Sequence, residues 1–305
     1  MLKNIGLDMI RVTEGAAIAA SQWVGSGNKE AADKAASDAM RERFAEIDFL
    51  GRVAIGEGVK DKSYGLFQGE MVGGAARTPE TCFDLAIDPI EGTTPTVTSG
   101  PEAISTIAFS NENTMYQTPA FYMNKLAYGK EIASKGRFSI NMHITQIVKH
   151  MSSQIGKPLD KMMVCILNRP RHEEWIKGLR ELGVRIKLIQ DCDVSGAIAA
   201  CLPNSGVDLL YGIGGAPEAV ISAAAIKCMG GDFQVYEVDK EMKQSSPILG
   251  MEDLVKGECA FVATGITRGS ILDGVRVVNG RPVTNSVFMR STSNTIRWMT
   301  TEHGN

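Results

Sequence analysis

The stretch Phe83-Asp84-Leu85-Ala86-Ile87-Asp88-Pro89-Ile90-Glu91-Gly92-Thr93 constrains this chain more than any other. Large apolar residues at 83, 85 and 87 recur with the two-residue period of a half-buried strand. Proline donates no amide hydrogen and restricts the residue before it, so Asp88-Pro89 is expected to end the ladder. Asp88, Glu91 and Thr93 then gather just past a rigid strand, and Gly92 lets the backbone turn tightly among them. Three hard oxygen donors delivered to one point suit a divalent cation such as Mg²⁺ or Mn²⁺. Asp-Pro and Glu-Gly also occur in plain solvated turns, and a stretch this short does not separate the two readings.

A second strand tipped with an acid strengthens the first reading. Arg52-Val53-Ala54-Ile55 runs straight into Gly56-Glu57-Gly58, where glycines on both sides of the acid permit close approach of a ligand. Upstream, residues 7–24 read as an alanine-rich helix ended by Gly25-Ser26-Gly27. Asn28 is the expected N-cap of a second helix reaching about Glu46. Ala32, Ala35, Ala36, Ala39 and Met40 give that helix a small-residue face, which Asp33 interrupts. By spacing alone, Asp33 reads as an ion-pair partner of Lys29 one turn earlier.

Residues 103–110 and 122–128 read as further strands. From about Lys161 the chain cycles strand, loop, helix three times, with strands at 162–167, 184–189 and 207–213. That alternation predicts an α/β fold with parallel pairing and a ligand cleft at the carboxyl ends of the strands. Each loop after a strand carries usable chemistry. Arg169 and Arg171 offer planar forks for phosphate oxygens, and Asp191 and Asp193 can accept from sugar hydroxyls. Gly214-Gly215-Ala216-Pro217-Glu218 looks like an anion-binding helix start. However, Glu218 would repel an anion and admit a cation bridging phosphate and carboxylate. Taken alone, Glu218 is also adequately explained as favourable charge at a helix N-terminus. Gly212-x-Gly214-Gly215 lacks the third glycine and the following acid of a dinucleotide fingerprint. Residues 260–265, 274–278 and 287–290 read as closing strands, and 237–257 as loop with some helix.

The totals exclude several classes. A chain of 305 residues builds one large or two modest domains. A net charge of −3 without a basic run gives no footprint for nucleic acid. No apolar stretch is long enough to span a bilayer, and Asp8, Arg11 and Glu14 occupy the place of a signal-peptide core, so no membrane partner is expected. The six cysteines form no C-x-x-C pair and sit mostly in apolar segments, which predicts reduced core thiols and a cytoplasmic protein. Cys192 lies between two acids that should raise its pKa, against a nucleophilic role. The four histidines make no metal-binding pair and are expected to be structural or exposed.

Across nearly the whole chain these residues resemble a family, the class II fructose-1,6-bisphosphatases within the lithium-sensitive, metal-dependent phosphatases. The resemblance rests on Gly27 to Arg41 with Lys29 and Asp33, on Ile55 to Gly58, and on Asp88 to Thr93. It continues through Tyr122-Met123 with Lys125-Leu126, Arg169-Pro170-Arg171-His172, Asp191 with Asp193-Val194, Tyr211 to Glu218, and Ala263 to Thr267. It implies a layered α/β/α/β/α sugar-phosphatase fold, with a mixed N-terminal sheet and a mostly parallel second sheet. Two domains, 1–140 and 141–305, and a homo-oligomer, dimer or tetramer, are implied as well.

Metal ligands are implied at Asp33, Glu57, Asp88, Glu91 and Glu218, holding two or more Mg²⁺ or Mn²⁺ ions. Contacts to a sugar bisphosphate are implied at Glu91, Gly92, Thr93, Tyr122, Arg169, Arg171, Asp191, Asp193 and Gly215. Thr93, Asp33 and Glu57 would be catalytic, with Thr93, oriented by Asp33, positioning and helping to deprotonate the attacking water. Five carboxylates in one cleft with two arginines nearby would repel strongly unless cations offset them, which agrees with the implied metal set. The chain departs from the family pattern at Thr94-Pro95-Thr96, where an arginine often follows the motif threonine, at Val59, Lys60 and Lys62, and in a shortened 237–260 segment.

The expected substrate is fructose 1,6-bisphosphate, hydrolysed at the 1-phosphate, and the first alternative is a dual fructose-1,6-/sedoheptulose-1,7-bisphosphatase. An inositol phosphate or a nucleotide 3′-phosphate would use the same chemistry. A phosphosugar-binding regulator without turnover is the reading outside enzymes.

Overall fold

The computed structural model describes residues 5–56, 66–74 and 82–304. Two helices lead, α1 (Gly6–Ser21) and α2 (Lys29–Ala45). Asn28 caps α2 as its sequence predicts, its side chain accepting from the Ala31 amide at 3.1 Å. Strands β1 (Leu50–Ile55), β2 (Met71–Val72) and β3 (Cys82–Glu91) follow, then the short helix α3 (Thr93–Val97), β4 (Ile104–Asn111) and β5 (Tyr122–Tyr128). Helices α4 (Lys130–Ala133) and α5 (Ile144–Ile155) precede the three predicted cycles. These are β6 (Met163–Leu167) with α6 (Glu173–Glu181), β7 (Arg185–Ile189) with α7 (Asp193–Cys201), and β8 (Leu209–Gly215) with α8 (Ala216–Met229). The chain closes with β9 (Asp232–Val238), β10 (Leu249–Gly250), α9 (Met251–Leu254), β11 (Cys259–Gly265), β12 (Arg276–Val278), β13 (Arg281–Arg290) and β14 (Thr295–Glu302).

The strands form two mixed sheets, as the expected α/β class requires. An 8-stranded sheet runs β12-β13-β11-β4-β3-β1-β2 with β14 on β13, and a 6-stranded sheet runs β10-β9-β5-β8-β6-β7. Each sheet takes strands from both sides of residue 140. Helices α1 and α2 cover one face of the first sheet, packing Met9, Ala16, Ala36 and Met40 against Phe83, Leu85, Ile107 and Val262. Helices α7 and α8 lie between the sheets, and α5 with α6 covers the far face of the second. The result is the layered α/β/α/β/α stack. The middle layer explains the composition of α8: a helix touched by sheets on both sides has no polar face, and its alanines let the two sheets approach closely.

Two expectations are corrected. The second sheet is not mostly parallel in its pairing, because among the described residues its parallel pairs are β6–β7 and β6–β8 alone. Strand β5 runs antiparallel to both β8 and β9 and occupies the slot between them, and β10 adds a further antiparallel edge. Strand β3 does not stop at Asp88-Pro89 but continues to Glu91, and it is buried on both faces rather than one. Its ladder with β1 ends at Ala86. Against β4 the register slips between Asp88↔Thr106 and Glu91↔Ile104, so the amide that proline lacks falls within a bulge.

Burial on both faces makes Asp84 a structural charge. It is 0 % exposed, paired with Arg52 at 2.7 Å, and accepts from the Thr114 and Met115 amides at 2.8 and 3.1 Å. Asp84→Ala strands a guanidinium and two amides, so it is expected to cost about 3–5 kcal/mol in a urea unfolding titration.

Candidate active site

The bulge that ends β3 aims its acids away from the ladder. Asp88 and Glu91, almost fully buried, meet Glu218 from the first turn of α8, with one oxygen from each within 4.8 Å of the others. Asp88 Oδ1 also accepts from the Ile90 amide at 3.0 Å, which fixes its rotamer within its own turn. Glu91 is anchored from the opposite layer, its Oε1 accepting from the Val194 amide at the start of α7 at 3.0 Å. Burial, followed by the charges of Asp193 and Glu218, holds the Glu91 pKa well above its ordinary 4.5, and the Val194 amide and Lys125 offset only part of this. A site that resists ionisation this way, with oxygen donors alone, fits a hard divalent cation.

Gly92 turns the chain from β3 into α3 with φ at +102°, and a Cβ there would collide with the Cys192 sulfur. Immediately beyond, Thr93 Oγ1 donates to Asp33 Oδ1 on α2 at 2.8 Å. Asp33 is therefore directed at Thr93. Lys29, the partner that helix spacing suggested for it, instead donates to Thr94 Oγ1 at 2.8 Å.

The second sheet supplies the facing wall. The carboxyl ends of β6, β7 and β8 lie on one edge because these strands are parallel, and antiparallel β5 brings its first residue, Tyr122, opposite Gly215. Arg169 and Asp191, expected on separate duties, form an ion pair at 2.5 Å. The Arg171 guanidinium lies over the Tyr122 ring, 5.2 Å from its centroid, and burial lowers its pKa. Asp193 pairs with Lys125 at 2.7 Å, both nearly inaccessible, while its Oδ1 is buried without a hydrogen-bond partner. Cys192 is pushed up by burial first and by Glu91 and Asp191 next, in agreement with an inert thiol.

Among the described residues, every expected site residue except Asp33 lines one cleft of about 260 Å³. Asp33 joins through Thr93, and Glu57 lies outside the described residues. Sequence reasoning gave Lys125 and His172 no role of their own. A lysine in the middle of an apolar strand was the available signal, since lysine is almost never fully buried unless paired.

Carboxylates clustered opposite arginines, within a layered α/β/α/β/α stack, define a phosphatase of the sugar-phosphatase class. The sequence matches the family of bacterial fructose-1,6-bisphosphatases, glpX-encoded, over residues 3–303. The chain belongs to that family, and it is a phosphoric monoester hydrolase. Among curated relatives it is 36% identical to the D-fructose 1,6-bisphosphatase class 2/sedoheptulose 1,7-bisphosphatase of Microcystis aeruginosa, over 99% of this chain and 97% of the relative. The proteins of the same name from Synechocystis sp. and Synechococcus elongatus are each 37% identical over the same shares.

Proposed function

We propose that the chain hydrolyses the 1-phosphate of fructose 1,6-bisphosphate to fructose 6-phosphate and phosphate, and that it also accepts sedoheptulose 1,7-bisphosphate. The relatives named for both substrates support the second activity. The observation that carries the reading is the carboxylate cluster of Asp88, Glu91 and Glu218 beside the Thr93–Asp33 pair, facing Arg171 across the cleft. In this reading Asp88, Glu91 and Glu218, with Asp33 and Glu57, hold Mg²⁺ or Mn²⁺. When bound, such ions neutralise the transferring phosphoryl group and acidify the attacking water. Thr93 Oγ1 would accept the proton of that water while passing its own hydroxyl proton to the Asp33 carboxylate, which also holds the hydroxyl in place.

Arg171, with Arg169 at the rim, docks the phosphate that does not react, and Tyr122 backs the guanidinium. The unpartnered Asp193 Oδ1 accepts a sugar hydroxyl, and Asp191, Glu91, Gly92 and Gly215 complete the sugar contacts. A non-reacting phosphate with its own cationic dock favours a sugar bisphosphate over an inositol or nucleotide monoester.

Six buried free thiols support a reducing, cytoplasmic setting, and no helix of the described residues is long and apolar enough to cross a membrane. Exposed Ile296 and Trp298 on strand β14 support a homo-oligomer, dimer or tetramer. The test is phosphate release from a panel of sugar, inositol and nucleotide phosphates with Mg²⁺ or Mn²⁺, repeated with chelator. Sugar bisphosphates are expected to turn over only with metal. Binding without release would select a phosphosugar-binding regulator instead.

A further inference from the structure

His172 ends the loop that carries Arg169 and Arg171, and it is wholly buried. Its two ring nitrogens face different strands. Nε2 lies 2.9 Å from the Ile213 amide, a group that only donates, so Nε2 carries no hydrogen and the proton sits on Nδ1. Nδ1–H donates to the Leu167 carbonyl at 2.7 Å. The imidazole thus ties the carboxyl end of β6 to that of β8. On the far side of the same residue, the Ile213 carbonyl accepts from Arg171 Nε at 3.2 Å and Nη2 at 2.7 Å. Of the five guanidinium donors, three remain for an anion in the cleft.

Neighbouring residues are shaped to this ring. Gly212 has φ at +142°, and a Cβ there would stand 3.1 Å from His172 Cε1. Trp175 stacks on the ring, with centroids 5.2 Å apart and planes 15° apart. Burial, with Arg171 and Arg169 nearby, pushes the His172 pKa down to about 4, so a single neutral tautomer persists at working pH.

We infer that His172 is the positioning residue of the distal-phosphate dock: by clamping Ile213 to Leu167 it fixes the carbonyl that orients Arg171 toward the cleft. The inference rests on the reading of Arg171 as the dock for the phosphate that does not react. It explains why two of Arg171's donors are given to a backbone carbonyl when a substrate could use them. A guanidinium held on two sides, by Ile213 and by the Tyr122 ring, loses less freedom when it meets a phosphate.

The test compares kcat/KM for fructose 1,6-bisphosphate with that for fructose 1-phosphate, which lacks the distal phosphate. Removing Arg171 (R171A) is expected to lower this ratio about 10- to 100-fold, the loss of a charge-assisted contact. H172N keeps a donor toward Leu167 but has no acceptor for the Ile213 amide, and is expected to lower the ratio about 10-fold. H172Q, whose amide oxygen reaches the Nε2 position, should retain more of the ratio than H172N. In the double variant the ratio should fall no further than in R171A, since both changes remove one device.

Should H172N not fold, G212A, whose methyl would press on the imidazole, takes its place with the same expected direction. Equal losses on both substrates, or additive losses in the double variant, would reduce His172 to a core residue and overturn the inference. A wild-type ratio in R171A would overturn the docking role itself, and the inference with it.

Discussion

Thr93→Ala and Asp33→Asn are each expected to lower kcat on fructose 1,6-bisphosphate by about 10²- to 10⁴-fold while KM changes little, the range of a lost general base. The Thr93 hydroxyl hydrogen is committed to Asp33 at 2.8 Å, which leaves its lone pairs to face the cleft and accept from water. Without the carboxylate the hydroxyl has no fixed orientation and no base to take up its proton. Substrate affinity rests on the facing wall, on Arg171 and its neighbours, which these changes leave intact. Single-turnover measurements separate chemistry from product release. Wild-type turnover in either variant would remove the pair from the mechanism.

The second large effect belongs to Glu91. Glu91→Gln keeps the size of the side chain and removes the charge at the centre of the cluster. The concentration of Mn²⁺ giving half-maximal activity is expected to rise about 10- to 100-fold, the loss seen when a metal site's ligand environment is disturbed. An unchanged metal requirement would place the cation elsewhere.

The same residue predicts how the cation-free protein responds to pH. Its folded pKa lies well above 4.5, raised first by burial and then by Asp193 and Glu218, so the folded state holds a proton that the unfolded chain releases. Stability from this group is therefore fully present below its unfolded pKa and is lost as pH rises through the raised value. With chelator, the melting temperature should fall as pH rises above the ordinary carboxylate range, and Glu91→Gln should flatten that dependence. Added Mn²⁺ should restore the wild-type protein more than the variant, because it binds the folded state alone.

Which parts of this were readable in advance follows from what local pattern encodes. The cycles after residue 161 appear nearly at their expected bounds, because each strand is a short segment rich in apolar residues closed by polar loop residues and each helix stops near a glycine or proline. Strand β14 was not anticipated, since Thr295–Glu302 is mostly exposed and shows no alternation that burial would impose. Strand β9 was missed just after the glycines that end α8. Pro89 misled the reading of β3, because a bulge supplies a place where its missing amide costs nothing.

By itself the sequence determined the acid-tipped strand ends, the arginine loop, the small-residue helices and hence the class of chemistry, since each is a property of neighbours along the chain. Only tertiary structure decided who meets whom: that β5 slots between β8 and β9, that Asp84 is spent on Arg52, that Lys125 answers Asp193, and that His172 joins two strand ends behind Arg171. Periodicity states which face of an element is buried. The partner of a buried charge is set by which strands become neighbours, and that depends on the packing of both sheets around α7 and α8.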